Sequence, residues 1–262
     1  MARPRSAGFE EQRDQILQAA AQLFANGGYA GTTMQQVARA SSVSKATLYH
    51  YVQDKHDLLA QISAGHVARL IALVAAVKAH HPLPAKVPEM PSQGPHLTRA
   101  SGPGAALSQA QTQTQAQTQA QTHLTALIES FMQVYAKAQH QHRVLTEDIK
   151  FLHQEQRDQV QQAQRLVVQA FADAVAALRP ELVAQSLHKP LAMLLFGMMN
   201  WTFTWLRPDG ALSHQSLAPV LTQLFLGGVQ AVDADLGAVA RPDVVRQSPA
   251  PWPGDEPAPS RR

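Results

Sequence analysis

Apolar residues recur at three- and four-residue spacing through most of this chain, and that helical period is the strongest restriction on its fold. About nine segments show the pattern, and no segment has the alternation of a convincing half-buried strand. Hydrophobic residues make up 45% of the 262 residues, which is enough for a large core. We therefore predict an all-α fold, with three short helices and a long one followed by five longer helices.

Local signals place the helix ends. Asn26-Gly27-Gly28 stops the first helix, and Thr32 or Thr33 can cap the second, with Gln36 three residues after Thr33 as a capping-box partner. Ser44 caps the third helix and Ser213 the last one. Pro190 falls in the first turn of the helix predicted at 190–206, which precedes the last one. The predicted helices cover about 10–25, 33–40, 44–50, 54–79, 123–135, 141–152, 155–178, 190–206 and 214–231.

The stretch SSVSKATLYHY, residues 41–51, is crowded with hydrogen-bonding side chains and has only Val43, Ala46 and Leu48 as apolar residues. Two short helices joined by a tight turn and braced by a first amphipathic helix form a helix-turn-helix. The second helix of such a pair enters the major groove of DNA, so its outer face is slim and polar. We predict that Val43 and Leu48 face inward and that the outward residues are Lys45, Thr47, Tyr49 and His50.

The chemistry of these side chains suits DNA. Lysine donates to guanine O6 and N7, and threonine and tyrosine contact phosphates or thymine methyl groups. Thr33 stands at a helix N-terminus, where backbone N–H groups suit a phosphate, and Lys55 follows the recognition helix closely enough to approach the DNA backbone. The pI of about 9.3 is compatible with an anionic partner without requiring one.

The segment QILQAAAQLFANGGYAGTTMQQVARASSVSKATLYHYVQDKHDLL, residues 15–59, resembles the DNA-binding domain of the TetR/AcrR family of bacterial repressors. By that resemblance Lys45 reads bases, and Ser44 and His50 are further contacts. The resemblance places five residues mostly at phosphates: Thr33, Thr47, Tyr49, Tyr51 and Lys55. Val52 stands where the family often has phenylalanine. The resemblance also implies a homodimer built from the last two helices, near 190–206 and 214–231, and an inducer pocket among the middle helices.

A second resemblance lies in FGMMNWTFTWLRPDGALSHQSLAPVLTQLFLGGV, residues 196–229. It is similar to the C-terminal region of repressors of fatty-acid, phenylacetate and steroid degradation, several of which respond to acyl-CoA thioesters. An acyl-CoA inducer is the expectation that follows. The candidate pocket residues are Phe131, Tyr135, Phe151, Phe171, Phe196, Met199, Asn200 and Phe203. The candidates for the CoA phosphates are Arg143, Lys150, Arg157 and Arg165.

The expected domain organisation follows from composition. Residues 1–8 form a flexible basic arm, 9–53 the helix-turn-helix domain and 54–232 the ligand and dimer domain. Proline and glycine, then glutamine at every second position, mark 82–122 as a low-complexity insertion that is disordered or partly helical. The proline-rich tail, 233–262, is expected to be disordered.

Other functional classes have little support. The absence of cysteine excludes disulfides and thiol catalysis and fits a cytoplasmic protein. The N-terminus lacks the apolar region of a signal peptide, and 191–206 is too short and polar for a membrane span. Neither a common catalytic motif nor a convincing histidine spacing for a metal is present. We therefore expect no enzyme activity, no cofactor and no metal.

Four alternatives stay open. The protein could act as an activator, or it could regulate an efflux system and sense a drug-like hydrophobe. The glutamine-rich stretch within 82–122 could serve as a protein-interaction module. A helical-bundle enzyme is the remaining alternative from another class.

Overall fold

A computed structural model describes residues 7–84, 103–207 and 210–234 of the chain. All regular elements in these ranges are helices, so the all-α prediction is confirmed. Nine helices have seven or more residues, and two single-turn helices and one 3₁₀ turn join them. The first four helices are α1 Ala7–Gly27, α2 Met34–Ala40, α3 Lys45–Tyr51 and α4 Lys55–His80. The others are α5 Pro103–Lys137, α6 Gln139–Glu147, the 3₁₀ turn Ile149–Phe151, α7 Gln154–Leu178, α8 Glu181–Ala184, α9 His188–Asn200, α10 Thr202–Trp205 and α11 His214–Ala231.

The predicted caps are confirmed at the helices that position the DNA-binding candidates. Thr33 Oγ1 accepts from the N–H of Gln36, and the Gln36 side chain accepts from the N–H of Thr33, which completes the capping box. Ser44 caps α3 and Ser213 caps α11. Gly28 follows α1 at a φ of 77°, in the left-handed region that favours glycine. α1 begins at Ala7, so the expected arm of residues 1–8 is too long by two residues, and residues 1–6 lie outside the described chain.

One hydrophobic core holds the first three helices together and continues into the rest of the chain. Phe24 of α1, Leu48 of α3 and Leu58 of α4 are each at most 1% exposed. Val144 and Leu145 of α6 belong to the same cluster. The helix-turn-helix unit is therefore packed directly on α6, and a shift of α6 or α4 moves its support.

A second core fills the C-terminal helices. It contains the end of α4 together with α5, α7, α8, α9 and α11. Phe131 of α5, Phe171 of α7 and Leu182 of α8 are fully buried in it. Because α4 contributes Leu58 to the first core and Leu70 to the second, it links the two cores, as α7 does through Val160 and Val167.

The glutamine-rich stretch is helical where the structure describes it. α5 begins at Pro103, about 20 residues before the predicted start at 123, and runs unbroken to Lys137. Alanine and glutamine are good helix formers, and Thr112, Thr114 and Thr118 each bond a carbonyl four residues earlier at 2.9 Å. Of the two alternatives for 82–122, the helical one therefore applies to 103–122. Residues 85–102 and the expected disordered tail from 235 lie outside the described chain.

The single helix predicted at 190–206 is wrong. α9 ends at Asn200, and α10 begins at Thr202 after a break at Trp201. The hydroxyl groups of Thr202 and Thr204 donate at 2.7 Å to the carbonyls of Met199 and Trp201, so they take up carbonyl groups at the break. The break turns Trp201 outward, where it is 62% exposed.

Candidate nucleic-acid interface and buried ligand site

The outer face of α3 carries most of the predicted DNA contacts. Ser44, Lys45, Tyr49 and His50 are exposed, while Leu48 is fully buried, as predicted. Thr33 is exposed at the start of α2, and Thr47, Tyr51 and Val43 are partly buried. A slim polar helix anchored by a leucine on its inner face is the shape that a major groove admits.

The start of α3 is held in a defined geometry. Ser44 Oγ accepts from the N–H of Thr47 at 2.9 Å and lies 2.7 Å from Thr47 Oγ1. Lys45 is the first residue of the helix, with its Nζ 6.0 Å from the centroid of the Tyr49 ring. Because the N-terminal residues of a recognition helix contact base edges, this arrangement places Lys45 where a base-reading residue belongs.

Tyr51 braces α3 against α1. Its ring stacks on Phe9 with the centroids 4.5 Å apart, and this contact explains why it is only partly exposed. A tyrosine at this place can support the orientation of α3 through its ring. Its hydroxyl remains a candidate for the phosphate contact that the resemblance implies.

Lys55 does not present a free ammonium group to DNA in this structure. Its Nζ donates to the carbonyls of Tyr29, Ala30 and Thr32 at 3.0, 3.3 and 3.0 Å, and it lies 4.5 Å from the centroid of the Tyr29 ring. An ammonium group has three donors, so these carbonyls account for all of them. In this conformation Lys55 therefore ties the start of α4 to the α1–α2 connection, and its expected phosphate contact stays a prediction.

The Lys55→Met variant tests this structural role. We expect the free energy of unfolding to fall by about 1–3 kcal/mol, because three carbonyls lose a charged donor while the methylene stem is kept. Urea denaturation followed by circular dichroism measures the change. Lys78→Met, at an exposed lysine of the same helix, is the control and should stay within about 0.5 kcal/mol of the parent. If the Lys55→Met variant keeps its stability but binds DNA more weakly, Lys55 acts through a phosphate contact and the structural role is refuted.

A line of aromatic contacts leads from the surface of the C-terminal half into its core. The Arg143 guanidinium lies 5.9 Å from the Phe203 ring, and Phe203 lies 6.3 Å from the ring of His142. His142 stacks on Tyr135 at 3.7 Å, and Tyr135 is followed by Phe131 at 6.0 Å.

The inner end of this line is a packed group of predicted pocket residues. Phe131 contacts Phe171 at 4.9 Å, and Phe171 contacts Phe196 at 4.7 Å. Met199 is fully buried in the same core. The sequence therefore predicted a group of side chains that the fold brings together, although the rings fill the space between them in this conformation. Of the other predicted cations, Arg157 bonds Gln154 and Arg165 is exposed on α7.

Asn200, the polar residue in an apolar run, has a protein partner. Its Oδ1 accepts from the Tyr135 hydroxyl at 2.9 Å. Burial raises the pKa of that hydroxyl well above its ordinary value, so it stays a donor at neutral pH. The pair fixes the Tyr135 ring, on which His142 stacks.

Two buried histidines lie beside the aromatic line. His66 of α4 and His142 of α6 are 3% and 4% exposed, and His66 Nε2 lies 3.3 Å from His142 Nδ1. Burial, with the nearby Arg69, lowers the pKa of His66 to about 4. Burial, with His66 and His214 nearby, lowers the pKa of His142 to about 3. Both rings are therefore neutral at pH 7.

Phe151 and Lys150 do not join this group. Phe151 stacks on Tyr29 of the α1–α2 connection with the centroids 5.0 Å apart, and Lys150 lies over the Phe151 ring at 5.3 Å. This conformation therefore places Phe151 outside the packed aromatic group and leaves Lys150 exposed beside it. Phe151 docks the α6–α7 connection onto Tyr29, together with a hydrogen bond between His56 Nδ1 and the Phe151 carbonyl at 3.1 Å.

An apolar stripe remains uncovered on the last long helices. Leu194 and Trp201 on the α9 side are 64% and 62% exposed, and Val220 and Leu224 of α11 are 58% and 65% exposed. A Cβ added to Gly227 or Gly228 would meet open space within one protomer. Large apolar residues at helical spacing on neighbouring elements mark an interaction surface.

Two family descriptions match the chain. Residues 16–62 match "Bacterial regulatory proteins, tetR family", and residues 117–229 match "Tetracyclin repressor-like, C-terminal domain". The chain belongs to the TetR family. It is a DNA-binding transcriptional regulator, and the helix-turn-helix described above is its DNA-binding unit.

Individual proteins agree with the TetR assignment. The HTH-type transcriptional regulator HbdR of Aromatoleum sp. (strain CIB) is 48% identical over 50 residues, which are 19% of this chain and 22% of that protein. The chain thus matches only about a fifth of this curated relative's length. A TetR-family regulator from Bordetella parapertussis 12822 is 28% identical with a TM-score of 0.66, and the alignment covers 86% of this chain and 98% of that one.

Two more distant structures share the TetR fold. AibR, solved with isovaleryl coenzyme A and operator DNA, is 20% identical with a TM-score of 0.58, covering 81% of this chain and 97% of that one. The fatty acid degradation regulator FadR from Bacillus halodurans is 16% identical with a TM-score of 0.56, and the alignment covers 86% of this chain and 98% of that one. At these identities the likeness establishes the fold.

Sequence reasoning missed the buried polar residues of this TetR regulator. His66 and His142 carried no pocket role in the sequence, since their spacing of 76 residues does not show that they meet. His214, 5% exposed on α11, was missed for the same reason. The position of His66 among apolar residues of α4 was the one local signal.

Two further observations concern the described residues. α4 is long and apolar enough to cross a membrane by length and composition. In this TetR structure it is instead a core helix, with Leu58, Leu59, Ile62, Val67 and Leu70 all buried. The described part of the chain holds no group of three or more histidine, aspartate or glutamate side chains placed to bind a metal ion.

Proposed function

We propose that this TetR-family protein is a cytoplasmic repressor that binds a pseudo-palindromic operator as a homodimer and leaves it when an acyl-CoA thioester binds. The outward face of α3 carries the DNA-binding part of the proposal. There Lys45 and Tyr49 are exposed above the buried Leu48, and Ser44 and Thr47 fix the helix start.

The uncovered apolar stripe supports the dimer. Leu194 and Leu224 are each more than 60% exposed, which costs free energy unless a partner covers them. A second copy of the chain can present the same stripe about a two-fold axis, as an isologous interface requires. Two recognition helices about 34 Å apart would then meet successive major grooves.

The aromatic line from Arg143 supports the effector class. Arg143 is 43% exposed and can meet an anionic group such as a CoA phosphate at the surface, although it is paired with Glu147 at 2.9 Å. Phe203, Tyr135, Phe131 and Phe171 lead inward from it and would contact an acyl chain. The similarity to AibR, whose structure holds isovaleryl coenzyme A, favours the same class.

Helix α4, which contributes to both cores, supplies a mechanism for release of the DNA. His66 of α4 lies beside the aromatic line, and Lys55 at the start of α4 holds the α1–α2 connection. A thioester that separates the aromatic rings would displace α4 and α6, which support the helix-turn-helix unit. The thioester shifts the equilibrium between the DNA-binding and the displaced conformation only by the difference between its affinities for the two.

Gel shift of the purified protein on the DNA upstream of its own gene tests the proposal. We expect a specific complex that acyl-CoA thioesters dissolve in the micromolar range, whereas the free acids and free CoA leave it intact. A complex that every thioester leaves intact would refute the effector class. Release by drug-like hydrophobes alone would assign the protein to the efflux type of regulator.

A further inference from the structure

An open groove lies between α5 and α11 in the C-terminal half of the protein. Its volume of about 370 Å³ is in the range of small-molecule sites. Leu226 of α11 lines one wall, and His81, the residue that follows α4, also contributes. The other lining residues share one face of α5, because they recur at three- and four-residue spacing. They are Thr118, Gln121, Thr122, Thr125, Ala126 and Glu129.

The groove lies on the side of α11 away from the exposed apolar stripe. Leu224 belongs to the stripe, and Leu226 follows it by two residues, which is a rotation of about 200° around the helix. Leu226 is partly buried against the second core, as expected for a side chain that faces inward. A second copy of the chain bound to the stripe therefore leaves the groove open.

Several oxygen atoms in the groove are left as hydrogen-bond acceptors. The hydroxyl groups of Thr118 and Thr122 donate to the carbonyls of Thr114 and Thr118, each at 2.9 Å, so their oxygens have lone pairs to offer and no proton. The Glu129 carboxylate accepts only, and it forms no ion pair with any described residue. A ligand with several N–H donors matches these oxygens.

The charge of the lining favours a cation at one end of the groove. Among the described residues that line it, Glu129 is the one acidic side chain, and none is lysine or arginine. Lys78 lies about one turn before His81 on α4, so the Glu129 end is the favourable place for a positive charge. Ala126, one turn before Glu129, and Leu226 supply apolar surface for methylene groups.

We propose that this groove binds an elongated aliphatic amine. One ammonium group of the ligand pairs with Glu129, its methylene groups lie on Ala126 and Leu226, and further N–H groups donate to Thr122 and Thr118. The rise along α5 from Thr122 to Glu129 is about 10 Å, so the ligand is long rather than compact. The site shares no residue with the aromatic line and does not depend on the proposed effector.

Isothermal titration calorimetry with the full chain, in the absence of DNA and at fixed ionic strength, tests the inference. The probes are butylamine, putrescine, spermidine and the uncharged butanediol. We expect spermidine to bind once per protomer and at least about 3-fold more tightly than butylamine, because it also reaches the threonine oxygens. Butanediol has hydroxyl groups in place of the ammonium groups and should show no binding.

Two variants locate the binding site. Glu129→Gln keeps the side-chain shape and removes the charge, and it should weaken spermidine binding at least about 5-fold. Thr122→Val removes one acceptor oxygen at nearly the same volume and should weaken it about 2- to 5-fold. Both residues are exposed, so we expect unchanged thermal midpoints. Glu155→Gln removes the same charge from an exposed residue of α7 outside the groove and should keep the affinity.

Four results would overturn the amine site. The first is a parent protein that binds none of the amines, and the second is butanediol binding as tightly as putrescine. The third is an equal loss of affinity in Glu129→Gln and Glu155→Gln, which would show a response to net charge alone. The fourth is unchanged affinity in both Glu129→Gln and Thr122→Val, which would place the amine elsewhere on the protein.

Discussion

Replacing Lys45 by alanine should abolish specific operator binding under conditions where the parent protein binds fully. Lys45 is the exposed first residue of α3, held beside the Ser44 cap. A lysine contact to a guanine edge contributes about 1–3 kcal/mol, and a dimer loses it in both half-sites, so the expected cost is about 2–6 kcal/mol. Fluorescence anisotropy with labelled operator, titrated at a fixed salt concentration, measures the loss.

A matched control separates base reading from general charge. Lys137→Ala removes the same charge from an exposed residue at the end of α5 and should change operator affinity less than about 2-fold. The Lys45 variant should retain affinity for unrelated DNA, since phosphate contacts supply non-specific binding. Equal losses for specific and unrelated DNA would make Lys45 a phosphate contact. Unchanged operator affinity would remove it from the interface.

Replacing Leu224 by glutamate should convert the protein to a monomer and abolish operator binding with it. The leucine is 65% exposed in the protomer, so the change should leave the fold intact. In an isologous dimer the residue occurs twice, and losing two buried leucines costs about 3–6 kcal/mol, roughly two to four orders of magnitude in the dimer Kd. Placing two carboxylates in the apolar interface adds to this cost.

Sedimentation equilibrium at micromolar protein, together with circular dichroism, measures the result. Leu166→Glu is the control, because Leu166 is 61% exposed on α7 and lies outside the α9–α11 stripe. We expect it to remain dimeric and to bind operator normally. A dimeric Leu224→Glu protein would place the interface elsewhere. A monomeric Leu166→Glu protein would show that the apolar stripe does not define the interface.

Much of the fold and the DNA-binding surface could be predicted because it depends on short-range chain geometry. The Thr33 capping box, the Ser44 and Ser213 caps and the turn at Gly28 each involve residues within about four positions of one another. The burial of Leu48 beneath an exposed polar face follows from helical spacing in the same way.

The ligand side was predicted less well because its residues come from distant parts of the chain. Phe151 was assigned to the pocket from its type and helical spacing, yet it stacks on Tyr29 of the DNA-binding unit. The extent of α5 was missed because a glutamine-rich repeat has no apolar period, while its helical propensity is high. Trp201 was placed inside a helix that the structure breaks at that residue.

By itself the sequence determined the all-α class, the helix-turn-helix and the polar residues that α3 exposes, since neighbouring residues decide helix starts, turns and faces. Only the tertiary structure decided that His66 meets His142 across 76 residues, and that the Ser63 hydroxyl is buried without a hydrogen-bond partner. It also decided that the Lys55 ammonium group donates hydrogen bonds to three carbonyls of the α1–α2 connection. Those contacts depend on the relative orientation of packed helices. That orientation is fixed by the burial of side chains in both cores, and no local sequence pattern encodes it.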